Sequence, residues 1–169
     1  MKIIKVLFLA LIFASYSISY IANAATTTTS FLVSATVLDA CLATSLPLVF
    51  GNYTPGNGDI TATTTVSVNC TTNTAFTVAL NRGTTTGGTI AQRLMAFGSH
   101  TLQYNIYTTA GNTVIWGDGT SSSVTQPGTG TGLLIPVVYT AYGLLPDNST
   151  NQAASIGAYT DTITATVTY

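Results

Sequence analysis

The chain has 169 residues, only 5% of them charged, with four Lys or Arg against five acidic residues and a single histidine. So few cations leave no electrostatic footprint for a nucleic-acid backbone, and one histidine without a carboxylate cluster gives no metal-ligand set and no sign of a cofactor. A solvated surface drawn from Thr, Ser, Asn and Gly instead of Lys and Glu points to an all-β chain, because β-branched threonine suits a pleated surface.

Lys2 and Lys5 mark a basic start, Val6 to Ala14 is an apolar run, and Ala22-Asn23-Ala24 places small residues before a cut at Ala25. This tripartite layout predicts a signal peptide over residues 1–24. A transmembrane anchor needs about 20 predominantly apolar residues, so no membrane span is expected in the mature chain. Residues 25–169 are expected to be exported to the periplasm as a single domain with one core. This part keeps two cations, Arg82 and Arg93, against five aspartates, a formal net charge of −3.

The first strand expected is Phe31 to Leu38, with Phe31, Val33, Ala35 and Val37 on one face. A short apolar strand follows at Leu46 to Phe50, then a loop holding Pro55-Gly56-Asn57-Gly58. Thr61 to Cys70 and Phe76 to Leu80 alternate as half-buried strands do, while Ala91 to Phe97 reads equally as a helical turn or a strand. Leu102 to Tyr107 and Val114 to Trp116 are further strands, and Gly117-Asp118-Gly119 is a turn. Ser121 to Gly132 and Leu144 to Gly157 read as loops. Leu133 to Tyr142 contains Pro136, which predicts an edge strand or a break. The last strand is Asp161 to Tyr169, with Ile163, Ala165, Val167 and Tyr169 on one face and threonines on the other. Many short strands separated by turns predict a sandwich or barrel. The leading segment Thr26 to Leu38 has spare length, about 43 Å if extended at about 3.3 Å per residue.

Cys41 and Cys70 are the only cysteines. In an oxidising periplasm they are expected to bridge, the alternatives being two free thiols or half a metal site. No catalytic residue is expected. Ser99, His100 and a distant Asp118 or Asp161 lack any nucleophile motif, and His100 reads as a surface residue. The tyrosines Tyr104, Tyr107, Tyr142 and Tyr159 read as packing at the core edge rather than a sugar platform. With charges so scarce, Arg93 and Asp161 are candidates for a pair fixing a strand end.

Several fragments recur in a specific order: Phe31-x-Val33-x-Ala35-x-Val37-x-x-x-Cys41, Phe50-Gly51-x-Tyr53, Val66-x-Val68-x-Cys70, Arg93-x-Met95, Leu102-x-Tyr104-Asn105-Ile106-Tyr107, Trp116-Gly117-Asp118-Gly119, Tyr142-Gly143 and Gly157-x-Tyr159-x-Asp161-Thr162 to Tyr169. In these the chain resembles the spore coat protein U domain family, which includes the Csu-type pilins of archaic chaperone–usher systems. The resemblance implies an incomplete immunoglobulin-like β-sandwich that lacks its last strand. A donor strand would complete it, first from a periplasmic chaperone and then, at the outer-membrane usher, from the arm of a neighbouring subunit. On that reading the arm at about 26–38 donates Phe31, Val33, Ala35 and Val37, and Ile163, Ala165, Val167 and Tyr169 border the groove. The expected function is a structural subunit of a pilus or coat, not an enzyme. The alternative is a monomeric or tip-located adhesive module binding a surface or glycan. Tip adhesins of such systems usually carry a second domain, so a single domain favours a shaft or coat subunit.

Overall fold

The computed structural model describes residues 24–169, and the expected signal peptide therefore lies, apart from Ala24, outside the described residues. The chain divides into two units, Met1–Ala35 and Thr36–Tyr169. In the first, residues 24–35 form neither helix nor strand, and all of them are exposed.

The second unit is a two-sheet antiparallel β-sandwich. Its strands are β1 (Cys41–Ser45), β2 (Ile60–Cys70), β3 (Ala75–Leu80), β4 (Arg93–Phe97), β5 (His100–Tyr107), β6 (Gln126–Thr129), β7 (Val137–Leu145) and β8 (Ala165–Thr168). One short helix, α1 (Ser149–Gln152), interrupts them. The five-stranded sheet runs in the order β1-β2-β7-β5-β4 and the three-stranded sheet in the order β6-β3-β8.

Between the sheets lie Val66, Val68, Cys70, Phe76, Val78, Leu80, Tyr104, Ile106, Trp116 and Ala141. These positions recur at every second residue along β2, β3 and β5, as a pleated strand with one dry face requires. Trp116 is fully buried, and its indole N–H donates to the Val78 carbonyl at 2.9 Å. A Cβ on Gly143 of β7 would lie 2.8 Å from Leu48 and 2.9 Å from Phe50, so the residue there must be small for the chain before β2 to pack on the sheet.

Two prolines relocate expected elements. Leu46 N–H still donates to the Thr65 carbonyl, but Pro47 has no N–H and ends the ladder. The expected strand at Leu46 to Phe50 is thus irregular, and pairing occurs just before it in β1. Pro136 stands immediately ahead of the first β7 pair, Val137↔Val68, where its missing donor is not needed. Of the two outcomes expected for Leu133 to Tyr142, the break at Pro136 is found and the edge strand is not: β7 begins after the proline and is central, between β2 and β5. Ala91 to Phe97 resolves as β4, and the segment expected to be polar loop after Ser121 contains β6. Val114 to Trp116 contributes only the bridges Tyr107↔Ile115 and Trp116↔Val124.

The registers define two ends of the sandwich. Cys41↔Cys70, Val68↔Val137 and Thr77↔Thr168 lie toward one end. Ile60↔Leu145, Leu80↔Ala165 and the Phe97↔His100 hairpin lie toward the other.

Candidate functional site

β8 is a short strand that stops one residue before Tyr169. Ile163, Ala165 and Val167 pack against the core while remaining partly open, and Thr162, Thr164, Thr166 and Thr168 face solvent. On one side β8 pairs with β3 from Leu80↔Ala165 to Thr77↔Thr168. Asn81 extends this ladder: its N–H donates to Thr164 O at 3.1 Å, and its Oδ1 accepts from Thr164 N at 2.9 Å. On its other side β8 has no strand among the described residues. Tyr169 lies beyond β8 and is 59% exposed. Across the core, Leu48, Phe50, Met95, Val137 and Tyr139 are likewise only partly covered.

The root of β8 is tied down by Asp161. Its Oδ1 accepts from the N–H groups of Thr84 (2.9 Å) and Thr85 (3.0 Å) and from both their hydroxyls (3.1 Å each), and its Oδ2 accepts from Tyr104 Oη at 2.7 Å. Burial pushes the carboxyl pKa up, but the Tyr104 hydroxyl and the backbone donors outweigh it and hold the pKa below the usual carboxylate value. The same burial and contact push the Tyr104 phenol up. Gly83, at φ +91°, lies so close to this carboxylate that a side chain there would collide with it.

Arg93 does not pair with Asp161. It is fully buried, and its guanidinium donates to Asn105 Oδ1 (2.6 Å), to Trp116 O (2.8 Å), and twice to Asn81 O (2.8 and 2.9 Å). Asn105 in turn donates to the carbonyls of Ile90 (3.2 Å) and Ala91 (2.7 Å). The cation thus ties β4 and β5 to the end of β3 through carbonyl dipoles, while burial lowers its pKa.

The start of the second unit is equally anchored. Cys41 and Cys70 form a disulfide across the first register pair of β1 and β2, with Cα atoms 4.1 Å apart. Next to it, Ala40 N–H donates to Thr71 Oγ1 (3.2 Å), Thr71 N–H donates to Ala40 O (2.9 Å), and Thr74 Oγ1 donates to Asp39 Oδ1 (2.8 Å). Before this anchor, Phe31 (84%), Val33 (79%) and Val37 (85%) are exposed, as is Ala35. The strand expected at Phe31 to Leu38 is not formed within this single chain, since an extended segment needs a partner for its backbone groups.

Nothing in the described residues assembles a catalytic set. His100 meets only Ser155 Oγ, at 3.4 Å, while the Asp118 carboxylate accepts from the Thr120 N–H and hydroxyl. No group of three His, Cys, Asp or Glu residues could hold a metal ion among the described residues. Two polar anchors carried no motif in the sequence. Asp147 accepts from Tyr53 Oη (2.6 Å), Gly56 N (3.1 Å) and Gly58 N (2.8 Å), and so shapes the Pro-Gly-Asn-Gly loop. Buried Asn151 accepts from Gln103 N (2.8 Å) and donates to the carbonyls of Gln103 (2.9 Å) and Pro146 (2.7 Å).

The Spore Coat Protein U domain family model matches residues 27–166. The chain belongs to this family. The fold is similar to a chain in the CsuC–CsuE chaperone–tip adhesion subunit pre-assembly complex from archaic chaperone-usher Csu pili of Acinetobacter baumannii. The TM-score is 0.51 and the identity 25% over 79% of this chain. This chain spans 40% of the length of that one. No curated relative matches the chain.

Proposed function

We propose that this protein is a surface-fibre subunit of a chaperone–usher system that polymerises by donor-strand exchange. The observation that carries the reading is the outer edge of β8, which has no strand beside it among the described residues and whose inward side chains Ala165 and Val167, with Ile163 just before them, are only partly covered. An added strand would satisfy the edge N–H and C=O groups and cover those side chains. The segment Thr28 to Leu38 has the matching property: neither helix nor strand of its own, and apolar Phe31, Val33, Ala35 and Val37 at alternate positions. Before assembly, a periplasmic chaperone strand occupies the edge, and an outer-membrane usher passes the subunit on. The similar solved structure is a chaperone–subunit pre-assembly complex, which supports that order.

Val33→Asp tests the reading. A buried, unpaired carboxylate in the inserted arm is costly. The variant is expected to fold and bind its chaperone but to form no polymer that survives dilution. Wild-type assembly by Val33→Asp would remove the arm as donor.

A further inference from the structure

Where the β2–β7 ladder stops at Ile60↔Leu145, a polar latch lies just beyond it. Asp59 Oδ1 accepts from Asp147 N at 2.7 Å, and Gln152 Nε2 donates to Asp147 O at 3.1 Å. The Asp147 carboxylate reaches back to the loop before β2. Its Oδ1 accepts from Tyr53 Oη and Gly56 N, and its Oδ2 accepts from Gly58 N at 2.8 Å. The residue ahead of Gly58 is Asn57, the one asparagine of the chain that is followed by glycine. Both are exposed, and a Cβ built on Gly58 would meet nothing within 4 Å.

This dipeptide carries its own chemistry. Once it loses its proton, the Gly58 backbone nitrogen can attack Cγ of the Asn57 side chain. The new N–C bond closes a five-membered imide, the Cγ–Nδ2 bond breaks, and the side-chain nitrogen leaves with the proton as ammonia. Water then opens the imide at either carbonyl. One product is aspartate at position 57. The other is isoaspartate, in which the backbone runs through the former side chain. Water is the sole co-reactant, and no electrons change hands. Glycine as the following residue helps, since it has no Cβ to crowd the attack. In the fold, however, the attacking atom is the nitrogen that Asp147 holds. A carboxylate accepting this N–H favours the protonated amide, and its charge disfavours the amide anion. The same carboxylate is too weak a base to take the proton, because the Tyr53 hydroxyl and the Gly56 and Gly58 N–H groups hold its pKa down to about 2. It therefore restrains the reaction instead of promoting it.

We propose that Asn57 is a site of spontaneous deamidation that the Asp147 carboxylate restrains in the folded chain. The modification is independent of whether the chain polymerises. It is one-way, because ammonia is lost, and it adds a negative charge to a loop already bracketed by Asp59 and Asp147. Isoaspartate also lengthens the backbone by a methylene between Gly56 and Gly58, both of which must reach Asp147. The latch is therefore weaker after the change than before it, and the site records the age of each copy.

The test incubates the mature protein, a synthetic peptide of residues 51–60, and the variants Asp147→Ala and Tyr53→Phe in mildly alkaline buffer. Asparagine, aspartate and isoaspartate at position 57 are then resolved by chymotryptic peptide mapping with mass spectrometry. Conversion at Asn57 is expected to outrun that at every other asparagine of the mature protein. It should still be slower than in the peptide by about tenfold or more, the weight of one charge-assisted hydrogen bond. Asp147→Ala should convert at close to the peptide's rate, whereas Tyr53→Phe, which keeps the Gly58 N–H on the carboxylate, should stay slow. Conversion of the native protein at the peptide's rate would overturn the restraint, and this comparison needs no variant to fold. So would an Asp147→Ala protein that melts cooperatively and stays slow. Equal acceleration by Tyr53→Phe would assign the slowing to loop order and not to the carboxylate on Gly58, and would overturn the proposal too. An Asn57 that stays intact in both the peptide and Asp147→Ala would remove the site altogether.

Discussion

At the residue scale, Arg93 carries more of the fold than its charge suggests. It is one of two cations after residue 24, and it is spent inside the sandwich on carbonyl oxygens and Asn105. Removing the guanidinium leaves these acceptors buried and unpaired. Arg93→Met is therefore expected to destabilise the mature protein by about 3–5 kcal/mol in denaturant unfolding. Arg93→Lys should not rescue it, because one ammonium cannot span the planar fork of acceptors. The carboxylates set the acid limit. Asp147 is held down to about 2 by the Tyr53 hydroxyl and the Gly56 and Gly58 N–H groups, and Asp161 is also depressed. Both pKa values are lower folded than unfolded, so their contribution is complete above about pH 4 and is lost as pH falls through the folded values. Thermal melting should be flat with pH from about 5 to 8 on their account and fall below about 4. Tyr104→Phe should raise the Asp161 pKa toward the usual value in an NMR titration. The scarcity of charge singles out Arg93 and Asp161 in the sequence, but not their partners. Backbone carbonyls and threonine N–H groups have no signature in a sequence, so an ion pair is the natural expectation and a polar cradle for each is the finding.

At the element scale, the disulfide sits at the first register pair of β1, where the leading arm enters the sandwich. Tension on the arm would otherwise unzip β1 from β2 one pair at a time. In the chain-entropy model, closing a loop of 29 residues contributes roughly 3–4 kcal/mol. Reduction is expected to lower the denaturation midpoint accordingly, and alkylation without reductant should label no thiol in the mature protein. Deleting Thr166 to Tyr169 removes most of the β8 ladder and the packing of Val167. A loss of about 2 kcal/mol or more follows from burial and hydrogen bonding together, and the truncated chain should fail to accumulate in the periplasm. β2, β3, β5 and the alternation of Ile163, Ala165 and Val167 were legible because each buries one face of a period-two pattern. The arm and the Leu46 to Phe50 segment show the same alternation without forming strands. Periodicity reports which side chains want cover, and says nothing of whether a backbone partner exists or a proline blocks it.

At the scale of the whole molecule, the proposed assembly joins the open edge of β8 on one copy to the unpaired arm of the next. Hydrogen–deuterium exchange on the assembled mature protein tests that join most directly. The amides of Phe31 to Val37 and those of β8 that point away from β3 should exchange slowly in the polymer. Both sets should exchange fast in a Val33→Asp subunit released from its chaperone. Fast exchange at either set within an intact polymer, or slow exchange at both in a monodisperse monomer, would contradict strand donation between copies.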